Sequence, residues 1–336
     1  MSAPLSPARF RERYALAAFA DGGVVVDLET GSYARLNASA AALLSSLEAA
    51  ETTDAATAAV AARFQIDPAR ARADLDALSR ALELEGARIP PIEPFEYRPA
   101  AGGGYDLWHG ERWALHVDAE VRHLTLGAPD EPLPLPLFTY VSDMAPKLVS
   151  LLGTPVLHGS SWSGPHGVLG LCGKSKAGKT TTARTLARHG GALVSEDLIV
   201  LAADLSAPRI HERGEAQVHA WEREAAALLS ADPSAAVDVR ALQEATTGPT
   251  LPFSTLWFLS AQRRGDTFTR TALTKAAALT ELMSHEFLGA AGNQQWRRFL
   301  AAGQAIVDAV ASLEAALPLG LERLDAAMAG YVTLAR

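Results

Sequence analysis

The sequence predicts an α/β protein of two domains, in which a larger domain built around a strand–loop–helix unit follows a small domain of a β-hairpin and three helices. Three observations support this fold class. An apolar strand, a glycine-rich loop and a helical segment follow one another within residues 167–189. Two apolar runs flank a glycine turn within residues 22–37, and segments of helical periodicity follow them. A stretch rich in proline and glycine, residues 89–105, separates the two regions.

Composition and charge limit the classes of protein to which the chain can belong. Its 336 residues are 49% hydrophobic with a mean hydropathy of +0.07, as in a soluble protein with a sizeable core. The formal net charge of −8 argues against broad binding to nucleic acid, because nucleic-acid-binding proteins usually present a basic face. The single cysteine, Cys172, excludes an internal disulfide, and no apolar run is long enough to cross a membrane. Since the N-terminal "ALAAFA" is also too short for a signal peptide, we expect a cytoplasmic protein with no nucleic-acid or membrane partner.

Residues 1–88 are predicted to form the small domain. The hairpin turns at Glu29-Thr30-Gly31, where glycine permits the bend. Asn37 is expected to cap the first helix, and the Asp67-Pro68 pair marks the start of the third, which Gly86 ends. Apolar residues at helical spacing predict the buried faces of the three helices: Leu43, Leu44, Leu47, Val60, Phe64, Leu75, Leu78 and Leu82.

The stretch at residues 89–105 is predicted to be a linker, because proline and glycine at this density interrupt helices and central strands. Residues 106–336 are then expected to form the second domain. Alternation predicts strands within residues 113–126, and an apolar run predicts another at residues 256–259. The alanine-rich sequence from Glu215 onward predicts mainly helices.

The glycine-rich loop is the strongest functional motif of the chain. Gly173, Gly178, Lys179 and Thr180 match G-x-x-x-x-G-K-[ST], in which backbone N–H groups surround phosphate oxygens. Lys179 is expected to neutralise the β- and γ-phosphates of ATP, and the Thr180 hydroxyl to bind Mg²⁺. The alternative is a strand-to-helix turn without a ligand. The predicted nucleotide-binding residues are Gly173, Lys174, Ser175, Lys176, Ala177, Gly178, Lys179, Thr180 and Thr181.

Two acids and a histidine flank this loop in the sequence. Glu196 and Asp197 stand between two short apolar runs, and the separation from Thr180 leaves room for one helix and a returning strand. The pair thus stands where a metal ion and a nucleophile could both be handled, the alternative being a solvated acidic turn. His158 ends an apolar run upstream of the loop, and a hairpin through Ser163-Gly164-Pro165 would bring it beside the phosphate site. A lone histidine is more often structural.

The segment "LHGSSWSGPHGVLGLCGKSKAGKTTTARTLARHGGALVSEDLIVL" resembles the core of the HPr kinase/phosphorylase family. That family has a P-loop fold, shared with phosphoenolpyruvate carboxykinase, and transfers phosphate from ATP to a protein serine. The resemblance implies catalytic roles for His158, Lys179, Glu196 and Asp197, with metal contacts from Thr180, Glu196 and Asp197.

The chain also departs from that family's pattern. The first acid is Glu196 where the family favours aspartate, so Asp197 is the preferred base, and Lys176 stands where glycine is usual. The C-terminal signature for phosphorolysis is absent from the sequence, which places both phosphorolysis and HPr as the substrate in doubt. An arginine at Arg263, Arg264 or Arg270 is a candidate for stabilising transferred charge, with a solvated surface arginine as the alternative.

The N-terminal region, from about residue 15 to residue 87, resembles PqqD-like domains, the winged-helix-like recognition elements of peptide-modification pathways. The pattern Leu-x-x-x-x-Gly-x-Tyr-x-x-Leu-Asn precedes the three predicted helices. The resemblance implies that a leader peptide adds as a strand to the sheet edge, beside the third helix. The implied peptide-binding residues are Ser32, Tyr33, Ala34, Arg35, Leu36, Arg70, Asp74 and Ala77. The alternative is a small domain used only for packing or dimerisation.

The two resemblances together imply an ATP- and Mg²⁺-dependent kinase for a Ser or Thr hydroxyl of a ribosomally made precursor peptide, such as a lasso-peptide precursor. Docking of the leader would raise the effective concentration of the acceptor at the kinase. Two alternatives stay open: an ATP-sensing peptide chaperone without phosphotransfer, and a kinase of an HPr-like carrier or a small molecule. HPr kinases form oligomers, so a homo-oligomer is a further open option.

Overall fold

The computed structural model describes residues 5–84, 87–88, 95–100, 103–109, 112–118, 123–126, 156–196, 198–202, 204–212, 237–238, 249–260, 267–285 and 292–334. The helices are α1 Pro7–Arg13, α2 Ala38–Ala49, α3 Thr53–Phe64, α4 Pro68–Leu84, α5 Lys179–His189, α6 Lys275–Met283, α7 Gly292–Ala309 and α8 Leu321–Leu334. The strands are β1 Tyr14–Phe19, β2 Gly22–Asp27, β3 Ser32–Leu36, β4 Ala87–Arg88, β5 Phe95–Pro99, β6 Tyr105–His109, β7 Arg112–Val117, β8 His123–Leu126, β9 Val156–Gly164, β10 Gly167–Cys172, β11 Ala192–Ser195, β12 Leu198–Val200, β13 Arg209–His211, β14 Val237–Asp238, β15 Thr250–Leu259, β16 Thr269–Ala272 and β17 Ala311–Ala316.

The chain forms two compact units, which are described separately. The first, here called the N-terminal unit, comprises Met1–Pro90, Leu273–Ser284 and Gly292–Asp308. The second, here called the loop unit, comprises Pro91–Ala272, His285–Ala291 and Ala309–Arg336. Among the helices of the described ranges, none has the length and apolarity that spanning a bilayer requires.

The N-terminal unit contains the predicted hairpin and three helices. Its antiparallel sheet has the order β1-β2-β3-β4, and β2 and β3 form the hairpin. The Asn37 side chain accepts a hydrogen bond from the Ala40 N–H, which confirms the predicted cap of α2. The Asp67 carboxylate accepts from the Ala69 N–H, and α4 begins at Pro68, as predicted. The short helix α1 and strand β1 were not predicted.

Both faces of this sheet are covered, and every residue of β2 is buried. On one face, a Cβ atom added at Gly23 would lie 3.1 Å from the Ala41 Cβ of α2. On the other face, a Cβ atom added at Gly22 would lie 3.3 Å from the Ala276 Cβ of α6. Since successive residues of a strand point to opposite faces, the sheet lies between α2 and α6. Helix α7 packs on α6 through Gly303, where an added Cβ would lie 2.6 Å from a Leu279 methyl carbon.

This packing divides the chain differently from the prediction of one domain over residues 106–336. Two helices from that range, α6 and α7, belong to the N-terminal unit. The physical reason lies in β2, where Val24 and Val26 share the face that α6 contacts and are fully buried. Without a cover on that face, both valines would be exposed to water, at a cost of about 1.5 kcal/mol or more each.

The predicted linker at residues 89–105 is wrong for part of its length. Residues Phe95–Pro99 form β5, which pairs with β6 in a sheet of order β14-β8-β7-β6-β5. Because β5 is the edge strand of that sheet, Pro99 is tolerated there although it lacks an N–H donor. The strands predicted within residues 113–126 are confirmed as β7 and β8.

The loop unit is organised by a mixed sheet with the order β11-β9-β10-β15-β17-β16, to which β12 adds beside β9 and β13 beside β15. Strands β10, β15 and β17 are parallel, and β9 runs antiparallel to β10. Strand β17 lies in a region whose alanine-rich sequence predicted a helix, and three of its six residues are alanine. Pairing with a strand on each side supplies its backbone hydrogen bonds and overrides the local helical preference.

Helices α5 and α8 contribute to one apolar core under this sheet. The two helices contact each other, and α5 also contacts β9 and β10. The buried residues of this core are Trp162, Leu169, Leu171, Ala177, Ala183, Leu186, Trp257, Leu259, Ala315, Leu317, Leu324, Met328 and Val332. The core therefore fixes the end of β10 and the start of α5, which are the two ends of the glycine-rich loop.

Candidate functional site

The glycine-rich loop joins the buried end of β10 to α5. Gly178 is the N-cap of α5 and has a left-handed backbone with φ of 100°, which glycine adopts without a steric penalty. The first N–H groups of α5 point out of the helix end toward the loop, as in every α-helix, and no side-chain cap at Gly178 accepts from them. A helix end of this kind binds anions, and phosphate in particular.

Lys179 places its charge inside the loop. The residue is only 6% exposed, and its Nζ donates to the carbonyl oxygens of Gly173 at 2.8 Å and Lys174 at 3.4 Å. The ammonium group is therefore held inside the loop by backbone carbonyl oxygens. The loop therefore combines outward backbone donors with a positive charge, which suits the oxygens of a polyphosphate.

A pair of hydroxyls lies at the start of α5. The Thr180 Oγ1 and the Ser160 Oγ of β9 are 3.3 Å apart, and Ser160 is fully buried. Hard oxygen donors are the ligands that Mg²⁺ prefers, so these two hydroxyls fit a magnesium ion bound together with phosphates. Within the described residues, no group of three or more His, Cys, Asp or Glu could hold a metal by itself. The sequence predicted Thr180 but not Ser160.

Glu196 is held by an arginine of α5. Arg184 donates to both carboxylate oxygens of Glu196, at 2.5 Å through Nε and 2.9 Å through the terminal nitrogen. Just before this acid, the buried hydroxyls of Ser195 and Ser161 are 2.5 Å apart and tie β11 to β9. A metal contact through Glu196, as the sequence predicted, would therefore have to compete with a bidentate ion pair.

His158 lies where the hairpin of β9 and β10 was predicted to bring it. Cys172 pairs with Gly159, so the antiparallel register places His158 level with Gly173, the first residue of the loop. His158 and Ser160 stand two residues apart on β9 and therefore share the face that Thr180 contacts. The His158 N–H donates to the carbonyl oxygen of His285 at 2.6 Å.

His285 is a member of this site that sequence reasoning missed. Its ring stacks on Phe258 of β15 with the centroids 6.1 Å apart. Burial, together with the nearby charges of Lys179, His158 and Lys174, lowers the pKa of His285 to about 4. The imidazole is therefore neutral at pH 7 and has one donor and one acceptor nitrogen beside the loop. No motif surrounds it in the sequence.

The depressed pKa of His285 makes stability depend on pH in acid. Between about pH 6.5 and pH 4 the unfolded chain takes up a proton at this residue that the folded chain does not, so stability falls as the pH falls. We expect this group to remove about 2–3 kcal/mol of unfolding free energy between pH 7 and pH 4.5. Urea denaturation at both pH values should show a smaller loss for His285→Gln than for the wild type. The same loss in both proteins would contradict this, and His166→Gln, at an exposed turn, is the matched control.

The arginines proposed from the sequence have different outcomes. The Arg270 guanidinium lies over the rings of Trp257, Phe268 and Tyr331, with distances of 5.6, 5.6 and 4.9 Å to the centroids. It thus packs as a cation on an aromatic cluster, a contact that stabilises the fold. Arg263 and Arg264 lie outside the described residues, as does Asp197, the predicted base.

The predicted peptide edge is partly covered by the chain itself. Ser32 and Tyr33 of β3 pair with Arg88 and Ala87 of β4, and the residues that would continue this register beside Ala34 and Arg35 lie outside the described part of the chain. Successive side chains of β3 point to opposite faces of the sheet. Ala34 and Leu36 pack into the core beneath α2, whereas burial and then the charge of Glu281 on α6 raise the pKa of Tyr33.

The predicted groove residues of α4 lie along one exposed face of that helix. Arg70, Asp74 and Ala77 follow at spacings of four and three residues, and all three are exposed. Because Ala87 pairs with Tyr33 only three residues after α4 ends, the C-terminal end of α4 lies close to the β3 edge. Ala77 is about 10 Å from that end along the helix axis and Arg70 about 20 Å.

Comparison with known families supports the identification of the N-terminal region as a PqqD-like domain. Residues 22–86 match the family described as Coenzyme PQQ synthesis protein D (PqqD), so this part of the chain is a PqqD domain. The match confirms the resemblance found in the sequence. PqqD domains bind precursor peptides in pathways that modify ribosomally made peptides, and a peptide partner fits this part of the chain. No curated protein matches the chain.

Proposed function

We propose that this protein is an ATP-dependent kinase that phosphorylates a Ser or Thr hydroxyl of a precursor peptide bound through its PqqD domain. One observation carries the kinase part of the proposal: the Lys179 ammonium is buried inside the loop, and the next residue, Thr180, has its hydroxyl 3.3 Å from that of Ser160. The PqqD match supports a peptide as the acceptor. Membership of residues 106–336 in an HPr kinase-like fold is part of this proposal and rests on the motif and the site geometry.

In the proposed reaction, the loop residues hold the polyphosphate in position. The N–H groups at the start of α5 bind the phosphate oxygens, and Lys179 neutralises the charge that develops on the β–γ side. Thr180 and Ser160 are the hydroxyls that would hold Mg²⁺, which supplies further charge neutralisation. His285, which is neutral at pH 7, and His158 adjoin the same end of the loop, where we assign both to contact with the γ-phosphate oxygens.

The acceptor hydroxyl needs a base in this scheme, and Asp197 is our candidate. Its carboxylate takes the proton of the peptide hydroxyl as that oxygen bonds to the γ-phosphorus. The bond from the γ-phosphorus to the bridging oxygen breaks, and ADP leaves with that electron pair. The ion pair between Arg184 and Glu196 would hold the end of β11 beside the base.

The proposal also includes a docking step for the peptide. The leader adds as a strand along β3, beyond the two residues, Ser32 and Tyr33, that pair with β4. The exposed side chains of Arg70, Asp74 and Ala77 on α4 are candidates for contact with leader side chains. Docking on the same chain raises the concentration of the acceptor at the kinase without strengthening the phosphate site itself.

Labelled ATP tests this function. We expect the full chain to transfer the γ-phosphate to a Ser or Thr of a candidate precursor peptide, and Asp197→Asn to lower the rate by at least about a hundredfold. The matched control is Asp204→Asn, which changes an exposed aspartate of the same region. Wild-type transfer by Asp197→Asn would exclude Asp197 as the base. Binding of ATP and peptide with no transfer to any Ser or Thr would favour an ATP-sensing chaperone instead.

A further inference from the structure

A small cleft opens beside the phosphate loop in the loop unit. Its volume is about 170 Å³, below the roughly 300–1,000 Å³ of pockets for drug-sized ligands, so it suits a single ring system. Two residues at the start of α5 form one wall, and the segment that leads from β17 into α8 forms the other. The lining residues are Gly178, Thr181, Leu317, Pro318, Gly320, Leu321 and Leu324.

The cleft lies on the side of the loop toward which the ribose and base of a bound nucleotide would extend. Lys179 points back to the carbonyls of Gly173 and Lys174, so the β- and γ-phosphates belong on that side of the loop. The α-phosphate then lies nearest the start of α5, at Gly178 and Thr181. These two residues line the cleft, and the ribose and base that continue from the α-phosphate therefore leave the loop toward it.

The wall opposite the loop is apolar and partly exposed. Leu321 is 72% exposed and Leu319, beside it in the chain, is 51% exposed, whereas Leu317 and Leu324 are buried. Gly320, with φ of +93°, turns the chain between β17 and α8 and brings these leucines to the rim. Exposed leucines at the mouth of a cleft gain by packing against a flat apolar face, which a purine base presents on each side.

We propose that this cleft binds the purine base of the nucleotide whose phosphates occupy the loop, with Leu321 packing on one face of the ring. The proposal rests on the proposed function, since it needs a nucleotide in the loop. It adds a base subsite made by the β17–α8 connection, a segment that lies about 140 residues after the loop motif in the sequence.

The test compares a ligand with a base and a ligand without one. Titration calorimetry with Mg²⁺ gives the Kd of ATP and of inorganic triphosphate for the wild type, Leu321→Ser and Leu334→Ser. We expect Leu321→Ser to weaken ATP binding by about tenfold and to leave triphosphate binding unchanged. Leu334 is 87% exposed near the far end of α8, so Leu334→Ser is the matched control and should change neither value.

The outcomes separate this inference from the proposed function. If wild-type protein binds neither ATP nor triphosphate, the phosphate loop is not a nucleotide site and both proposals fail. If ATP binds but Leu321→Ser binds it as tightly as the wild type, the base subsite is wrong and the phosphate site stands. Equal weakening of ATP and triphosphate in Leu321→Ser would also overturn the base subsite. Because Leu321 is largely exposed, its replacement should not unfold the protein.

Discussion

Replacing Lys179 by methionine is expected to lower phosphotransfer by at least about a hundredfold, with a weaker affinity for ATP. The Lys179 ammonium is the charge enclosed by the loop, where its Nζ donates to the Gly173 and Lys174 carbonyl oxygens. Methionine keeps the apolar stem in the same buried space but removes the donor and the charge. Rates with labelled ATP and the Kd of ATP measure the effect.

The matched control for that variant is Lys275→Met. Lys275 is a half-exposed lysine in the N-terminal unit, and its Nζ lies 2.5 Å from the Asp308 carboxylate. The same chemical change at this residue should leave both rate and affinity near the wild-type values, since exposed ion pairs contribute little. A Lys179→Met protein that binds and transfers phosphate as the wild type does would refute the phosphate site.

Shortening Leu279 to alanine is expected to destabilise the N-terminal unit by about 3 kcal/mol. Leu279 is fully buried on α6, the helix that covers the β2 face carrying Val24 and Val26, and it lies against Gly303 of α7. Its truncation leaves a cavity in the packing that holds α6 on that face. Amide hydrogen exchange should therefore speed up at β2 and β3, although Leu279 follows them by more than 240 residues in the sequence.

This result distinguishes the two views of the N-terminal domain. If residues 1–88 formed a complete domain, as the sequence predicted, Leu279→Ala would leave exchange in β2 unchanged. A change from leucine to alanine at Leu334, which is 87% exposed, serves as the control and should alter stability by less than about 0.5 kcal/mol. Unchanged protection of β2 in Leu279→Ala would contradict the cover that α6 provides.

Local features of the N-terminal unit were predictable because their causes lie within a few residues. The hairpin at Gly31 and the caps at Asn37 and Asp67 each depend on a side chain or a backbone angle next to the turn or helix end. The PqqD resemblance has the same origin, since its pattern is a short ordered series of such signals. The match at residues 22–86 confirms it.

The glycine-rich loop was predictable for a similar reason. A strand, a glycine at a left-handed position, a lysine and a helix start are all contained in residues 167–189, and the structure has β10, Gly178, Lys179 and α5 in this order. The linker prediction failed because the content of proline and glycine gives no information about which strands pair in a sheet. The partner of β5 is β6, whose hydrogen bonds hold an edge strand across residues 95–99.

Short-range signals were sufficient to predict the hairpin, the three helices with their caps, and the loop, because each depends on neighbours along the chain. The distant residues that join these elements could be identified only from the folded chain: Ser160 beside Thr180, Arg184 on Glu196, His285 beside the loop, and α6 against β2. These contacts arise when sheet register and core packing bring together segments separated by up to about 250 residues. No local sequence pattern predicts these long-range contacts, because they are stabilised by the burial of both partners.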